Sequence, residues 1–256
     1  MDRKRSLFYQ TLHACTLAAL VFGVLGYHLS PAQARPRWSG KPPSGNSSSN
    51  GVRGECFAVD RERPLTALVD GSNPVLTTQS HPTFLFYVPY SQTPYPDRDD
   101  RNYPVTTVEF ELLDENENSV LKNQKIVFSV PDKVGIVKVK LPSTEASLEP
   151  DKEYFWIFRI ICDARDNSAN PSVAGWIERV RVGSSENLWF DRLEKLAQSP
   201  MNHLEQWTQL LREIDPKLQD LARVPVVELK PEASETRRKD DNACYNQLPI
   251  RTYGAQ

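Results

Sequence analysis

Histidine is scarce in this chain. Of four in 256 residues, His13 and His28 fall within the first 34, which leaves only His81 and His203 in the remainder. A Ser-His-Asp hydrolase needs one imidazole between a nucleophile and an orienting acid, yet the chain has no Gly-x-Ser-x-Gly elbow to present such a serine. A zinc centre takes three or four Cys or His ligands, and with four cysteines in all the sequence shows no cluster of them. Glycine is also sparse, at 11 residues, and no Gly-rich phosphate loop occurs. Asp114, Asn116 and Asn118 open with the spacing of a calcium loop. Ser119 stands where that loop needs glycine and Lys125 where it needs a bidentate glutamate, so an EF-hand is rejected. A looser set, Asp163, Asp166 and Asn167, is better explained as a turn.

What the chain does have begins at its start. Asp2-Arg3-Lys4-Arg5 forms a basic n-region, an apolar run extends from about Leu12 to Leu29, and Ala32-Gln33-Ala34 is a small-x-small cleavage site. Residues 1–34 are therefore expected to be a secretory signal peptide, cleaved at the Ala32–Ala34 site, with export of the mature chain from about Arg35. A retained anchor is the rival, but His28 and Ser30 break the far end of a run already near the ~20-residue limit for spanning a bilayer. Lipidation of Cys15 is disfavoured because that cysteine precedes most of the apolar run. Removing three basic residues and one acidic residue leaves 28 and 32, a formal charge of −4. Such a mild balance offers no phosphate-tracking surface, so no nucleic-acid partner is expected.

Cys56, Cys162 and Cys244 survive processing. In an oxidising compartment a bridge is expected. Cys56–Cys162 is the preferred pair because both flank strand-like segments, and it would contribute about 4–5 kcal/mol if unstrained. Pairing of Cys56 with Cys244 stays open.

Residues 35–54 are Pro, Gly, Ser and Asn with almost nothing apolar, and are expected to be a disordered linker. Its Asn46-Ser47-Ser48 matches a glycosylation acceptor, a pattern common by chance. From 55 to 183 short apolar or alternating runs are separated by turn clusters: Leu65–Val69, Thr83–Val88, Thr106–Leu112, Lys125–Val130, Gly135–Leu141, Tyr154–Cys162 and Val173–Val182. Strands at that spacing with no helical pattern between them imply a sandwich. Leu148-Glu149-Pro150 leading to Tyr154 has the form of the corner that precedes the sixth strand of fibronectin-III-like domains, where an amphipathic ring packs inward and its hydroxyl returns to the backbone.

From 184 to 225 the period changes. Trp189, Leu193, Leu196 and Ala197 share one helical face, and Leu204, Trp207, Leu211 and Ile214 make a second stripe. Ser199-Pro200 and Asp215-Pro216 read as start signals. Residues 226–256 are expected to be a polar, disordered tail. The expected architecture is mainly β, an immunoglobulin/fibronectin-III-like β-sandwich with a C-terminal helical appendage.

Aromatics suggest where contact occurs. Tyr87, Tyr90, Tyr95 and Tyr103 surround a proline-rich loop from Pro89 to Pro104, where exposed rings could stack on sugars or grip a peptide. Tyr154, Phe155, Trp156, Phe158 and Trp176 are assigned to the core.

Several segments in order resemble a cyanobacterial family known only as domain of unknown function 928. They are Arg53-Gly54-Glu55-Cys56, Pro64–Val69, Pro82–Pro89, Phe110–Glu115, Gly135-Ile136-Val137 with Leu141-Pro142, Ile161-Cys162-Asp163, Gly175–Val180 and Leu188–Asp191, covering roughly residues 53 to 225. The resemblance implies an exported protein of a Gram-negative photosynthetic envelope, periplasmic or extracellular, with no assigned activity, catalytic residue or cofactor. The expectation is a non-catalytic binding or assembly module. Its partner would be an envelope protein or glycan, with no stable membrane span after processing. The rival is an envelope glycan hydrolase working through paired carboxylates, though no acid pair stands out.

Overall fold

The strand-forming runs are rich in β-branched and aromatic residues, and each finds a partner. A computed structural model of the chain describes residues 47–49, 58–92, 105, 107–164, 166–183 and 188–232. In chain order these form β1 (Ser48–Ser49), β2 (Leu65–Ala67), β3 (Val75–Thr77), β4 (Thr83–Val88), β5 (Thr107–Leu113), β6 (Ile126–Ser129), β7 (Gly135–Lys140), β8 (Lys152–Ile161), β9 (Ser172–Arg179), α1 (Trp189–Gln198), α2 (Leu204–Ile214) and β10 (Val227–Glu228). The first sheet has the order β1-β2-β4-β7-β10 and the second β3-β9-β8-β5-β6. Both are mixed: β10 runs parallel to β7 and β3 parallel to β9, while the other pairs are antiparallel. The protein is mainly β, as expected.

Alternation decides what meets between the sheets. Phe84 and Phe86 of β4 turn toward Trp156 and Phe158 of β8; Phe86 stacks on Phe158 with centroids 3.9 Å apart, and Phe84 lies 4.8 Å from Phe110 of β5. Room for the Trp156 indole comes from Gly175, where a Cβ would stand only 2.6 Å from the ring. The Leu148–Tyr154 corner closes as the sequence requires. Leu148 is buried, and the Glu149 N–H donates to the Tyr154 hydroxyl oxygen at 2.9 Å. Arg179 secures the same corner, donating from Nη1 to the Leu148 carbonyl at 2.6 Å.

The helices are anchored where β3 and β4 diverge. Trp189 donates from Nε1 to the Leu68 carbonyl at 3.0 Å, and Phe190 meets Phe84 edge-on at 5.3 Å. Asp191 accepts from Thr77 Oγ1 at 2.7 Å, Thr78 Oγ1 at 2.6 Å and the Thr78 N–H, while Thr83 donates to Glu194 at 2.9 Å. The start signals act differently from expectation. Ser199 makes no side-chain cap, and Pro200–His203 forms a 3-10 turn before α2 begins. Asp215 does cap, accepting from the Lys217 N–H at 2.8 Å, but the segment it starts, Pro216–Arg223, is 3-10.

Three short pairings depart from the sequence expectations. Residues 47–49, inside the expected linker, add β1 to the edge of β2. β3 had no strand signature, being three residues after a turn cluster, and is defined by its ladder with β9. Residues 226–232, expected to begin a disordered tail, fasten both sheets: β10 pairs with β7, Leu229 donates its N–H to the Lys138 carbonyl at 3.0 Å, and Glu232 donates to the Val127 carbonyl at 2.8 Å. Backbone pairing, which polar residues can make as well as apolar ones, holds both ends. β9 ends at Arg179, and Val182, expected within the strand, is 87 % exposed. Residues 1–34, with Ala32 and Ala34, lie outside the described residues, as do Asn46 and residues 233–256.

Candidate functional site

The expected aromatic contact loop is not built by the residues that can be placed. Tyr87 is 0 % and Tyr90 3 % exposed, so neither ring is open to a ligand; Tyr95 and Tyr103 lie outside the described residues. Tyr87 belongs to the core because β4 is covered on its two faces, and Tyr90, two residues past its end, is buried in the same cluster. Tyr87 donates its hydroxyl to Asp60 Oδ2 at 2.5 Å, Asp60 also pairs with Arg63 Nε at 2.6 Å, and the Arg63 guanidinium sits over the Tyr87 ring at 5.7 Å. Burial and the bond to Asp60 push the Tyr87 phenol well above its usual range. Burial alone would raise the Asp60 carboxyl, but the Tyr87 hydroxyl, the Glu62 N–H and Arg63 outweigh it and hold the group below its ordinary value. The Tyr90 phenol is pushed up to about 12 by burial.

The other residues weighed from sequence take structural places. His81 lies between Ser80 Oγ, 3.1 Å from Nδ1, and the Glu145 carbonyl, 3.3 Å from Nε2, so a backbone carbonyl rather than a carboxylate orients the ring. Asp114 Oδ1 accepts the N–H groups of Asn116 and Asn118, each at 2.8 Å, which uses the expected calcium spacing to close a turn. Asp166 caps the 3-10 turn after β8, and the buried Asn170 accepts the N–H groups of Cys162 and Asp163 at 2.7 and 2.9 Å. Cys162 is half-buried where β8 ends, while Cys56 lies outside the described residues.

The surface that stands out is the outer face of the second sheet. Along β8 the residues alternating with the inward Tyr154, Trp156, Phe158 and Ile160 are Phe155, Ile157, Arg159 and Ile161. Register sets Phe155 between Leu113 and Trp176, Ile157 between Glu111 and Ala174, Arg159 between Glu109 and Ser172, and Ile161 beside Thr107. Phe155 and Trp176, each 7 % exposed, pack at 5.1 Å; Ile157, Ile161, Leu113 and Ala174 are half-buried. Charges cross this apolar ground as pairs: Arg159 Nη1 with Glu111 Oε1 at 2.6 Å and Lys125 Nζ with Glu109 Oε1 at 2.5 Å. An antiparallel sheet with one face in the core ordinarily turns a polar face outward; this one sets Leu113, Phe155, Ile157, Ile161 and Trp176 among the charged Glu109, Glu111, Glu153, Arg159 and Glu178. Phe155 and Trp176, assigned to the core from sequence, are buried as expected, but on the side of the sheet away from the other sheet. The signal was present in Tyr154–Cys162, an apolar run interrupted only by Arg159, which is more than a strand with one buried side needs.

Residues 48–186 match the family described as Domain of Unknown Function (DUF928). With more than half of its length matched, the chain belongs to that family. The match takes in β1 to β9 and stops before α1, short of the extent expected from sequence. No curated protein and no solved structure matches the chain.

Proposed function

We propose that the protein is an exported, non-catalytic binding or assembly module of the cell envelope, which presents the outer face of its second sheet to a protein partner. The observation that carries this is the apolar strip on that outer face: the half-buried Ile157, Ile161 and Leu113, beside the buried pair Phe155–Trp176 and crossed by paired charges, have the composition of an interface. The first residues, Asp2 to Ala34, support export as a signal-like pattern.

The finer fold within this proposal is an immunoglobulin/fibronectin-III-like sandwich. It is supported by the order β2-β4-β7 against β9-β8-β5-β6, which reads as A-B-E against G-F-C-C′, and by the tyrosine at the corner before β8. A Cys56–Cys162 bridge belongs to the same proposal. Phe84 and Phe86 of β4 meet Trp156 and Phe158 of β8 in the same order, so the two strands run in one direction. Pro89, whose carbonyl accepts the Val59 N–H at 2.8 Å, then lies at the level of the end of β8.

Affinity capture from envelope extracts, with chemical crosslinking, tests the interface. The wild type should retain a partner that Ile157→Lys loses while keeping its thermal midpoint. Equal capture by both proteins would overturn the assignment of the face.

A further inference from the structure

We draw no further inference here: the strongest candidate, the cavity of about 90 Å³ at the edge of the second sheet lined by Val69, Val75 and Gly175, carries nothing because the Trp156 indole beside it is packed against Gly175 with its Nε1 buried, so that among the described residues no polar group there points to a ligand.

Discussion

The two sheets differ in what lies on their outer sides. All six residues of β4 in the first sheet are buried: Phe84, Phe86 and Val88 face the other sheet, while Leu85 and Tyr87 are covered from outside. The cover is local chain. Arg63 lies over Tyr87 and reaches the Lys217 carbonyl at 3.4 Å, and Thr83, which points to the same side, donates to Glu194 of α1 at 2.9 Å. The second sheet carries as much apolar character outward, in Phe155, Ile157 and Leu113, but these alternate with the ion pairs Glu111–Arg159 and Glu109–Lys125. The first face also carries polar groups, Lys138 beside Leu85 and Thr83 beside Lys140, but these are engaged by the elements that cover it, Lys138 by Glu228 of β10 and Thr83 by Glu194 of α1. A face interleaved with paired charges stays compatible with water and can still lose it to a partner.

The sharpest way to break this comparison is to cut the same volume from each side. Leu85→Ala should destabilise by about 2–5 kcal/mol, as expected for a filled interior. The half-buried Ile157, cut to alanine, should cost about 1 kcal/mol or less. Urea unfolding midpoints at equal m-value measure both. Equal costs would mean that the two outer faces are equally enclosed.

Next in size is the attachment of the helical cover. Asp191→Ala would strand the fully buried Thr77 hydroxyl and the polar groups of Thr78, at a cost of about 1–3 kcal/mol. Asp191→Asn, which keeps an acceptor, should recover part of that loss. Thermal melts of the three proteins decide it.

These two sites also mark what could be learned from residue order alone. The long strands and both helical stripes were legible because periodicity is local: Thr107–Leu113 alternates, and Trp189, Leu193 and Leu196 repeat at helical spacing. β1, β3 and β10 were not, since two or three residues carry no period and exist only through distant partners such as Thr66, Ile177 and Val137. The tyrosine corner was readable because its partner lies five residues away. Tyr87 was misassigned for the converse reason: its neighbours in sequence suggested an exposed loop, while Asp60, 27 residues earlier, buries its hydroxyl. The outer face of β8 had a signal, an apolar run interrupted only by Arg159, but sequence could not say which side of the strand faced the core.

A smaller effect should appear on the covered side as a pH dependence. Asp60 titrates below its unfolded value, so its contribution to stability is full above the unfolded carboxylate pKa and is lost as pH falls through the lower, folded one. Tyr87→Phe removes one of the bonds that depress it. The variant should lose about 1 kcal/mol near neutrality and show a shallower fall in stability below about pH 4. An acid limb of unchanged slope would place the depression on Arg63 and the Glu62 N–H instead.

The smallest change expected is on the outer face of the second sheet, and it distinguishes a binding surface from a structural one. Ile157→Thr keeps the β-branched shape that the strand favours and replaces one apolar arm with a hydroxyl that water can satisfy. On a half-buried position between Glu111 and Ala174 the cost should be within about 0.5 kcal/mol. Partner capture should fall nonetheless, because a central interface position loses apolar contact and gains a group to desolvate. A loss of stability comparable to that of Leu85→Ala would show that this face is closed within the chain, and would remove the contrast between the sheets on which the proposed interface rests.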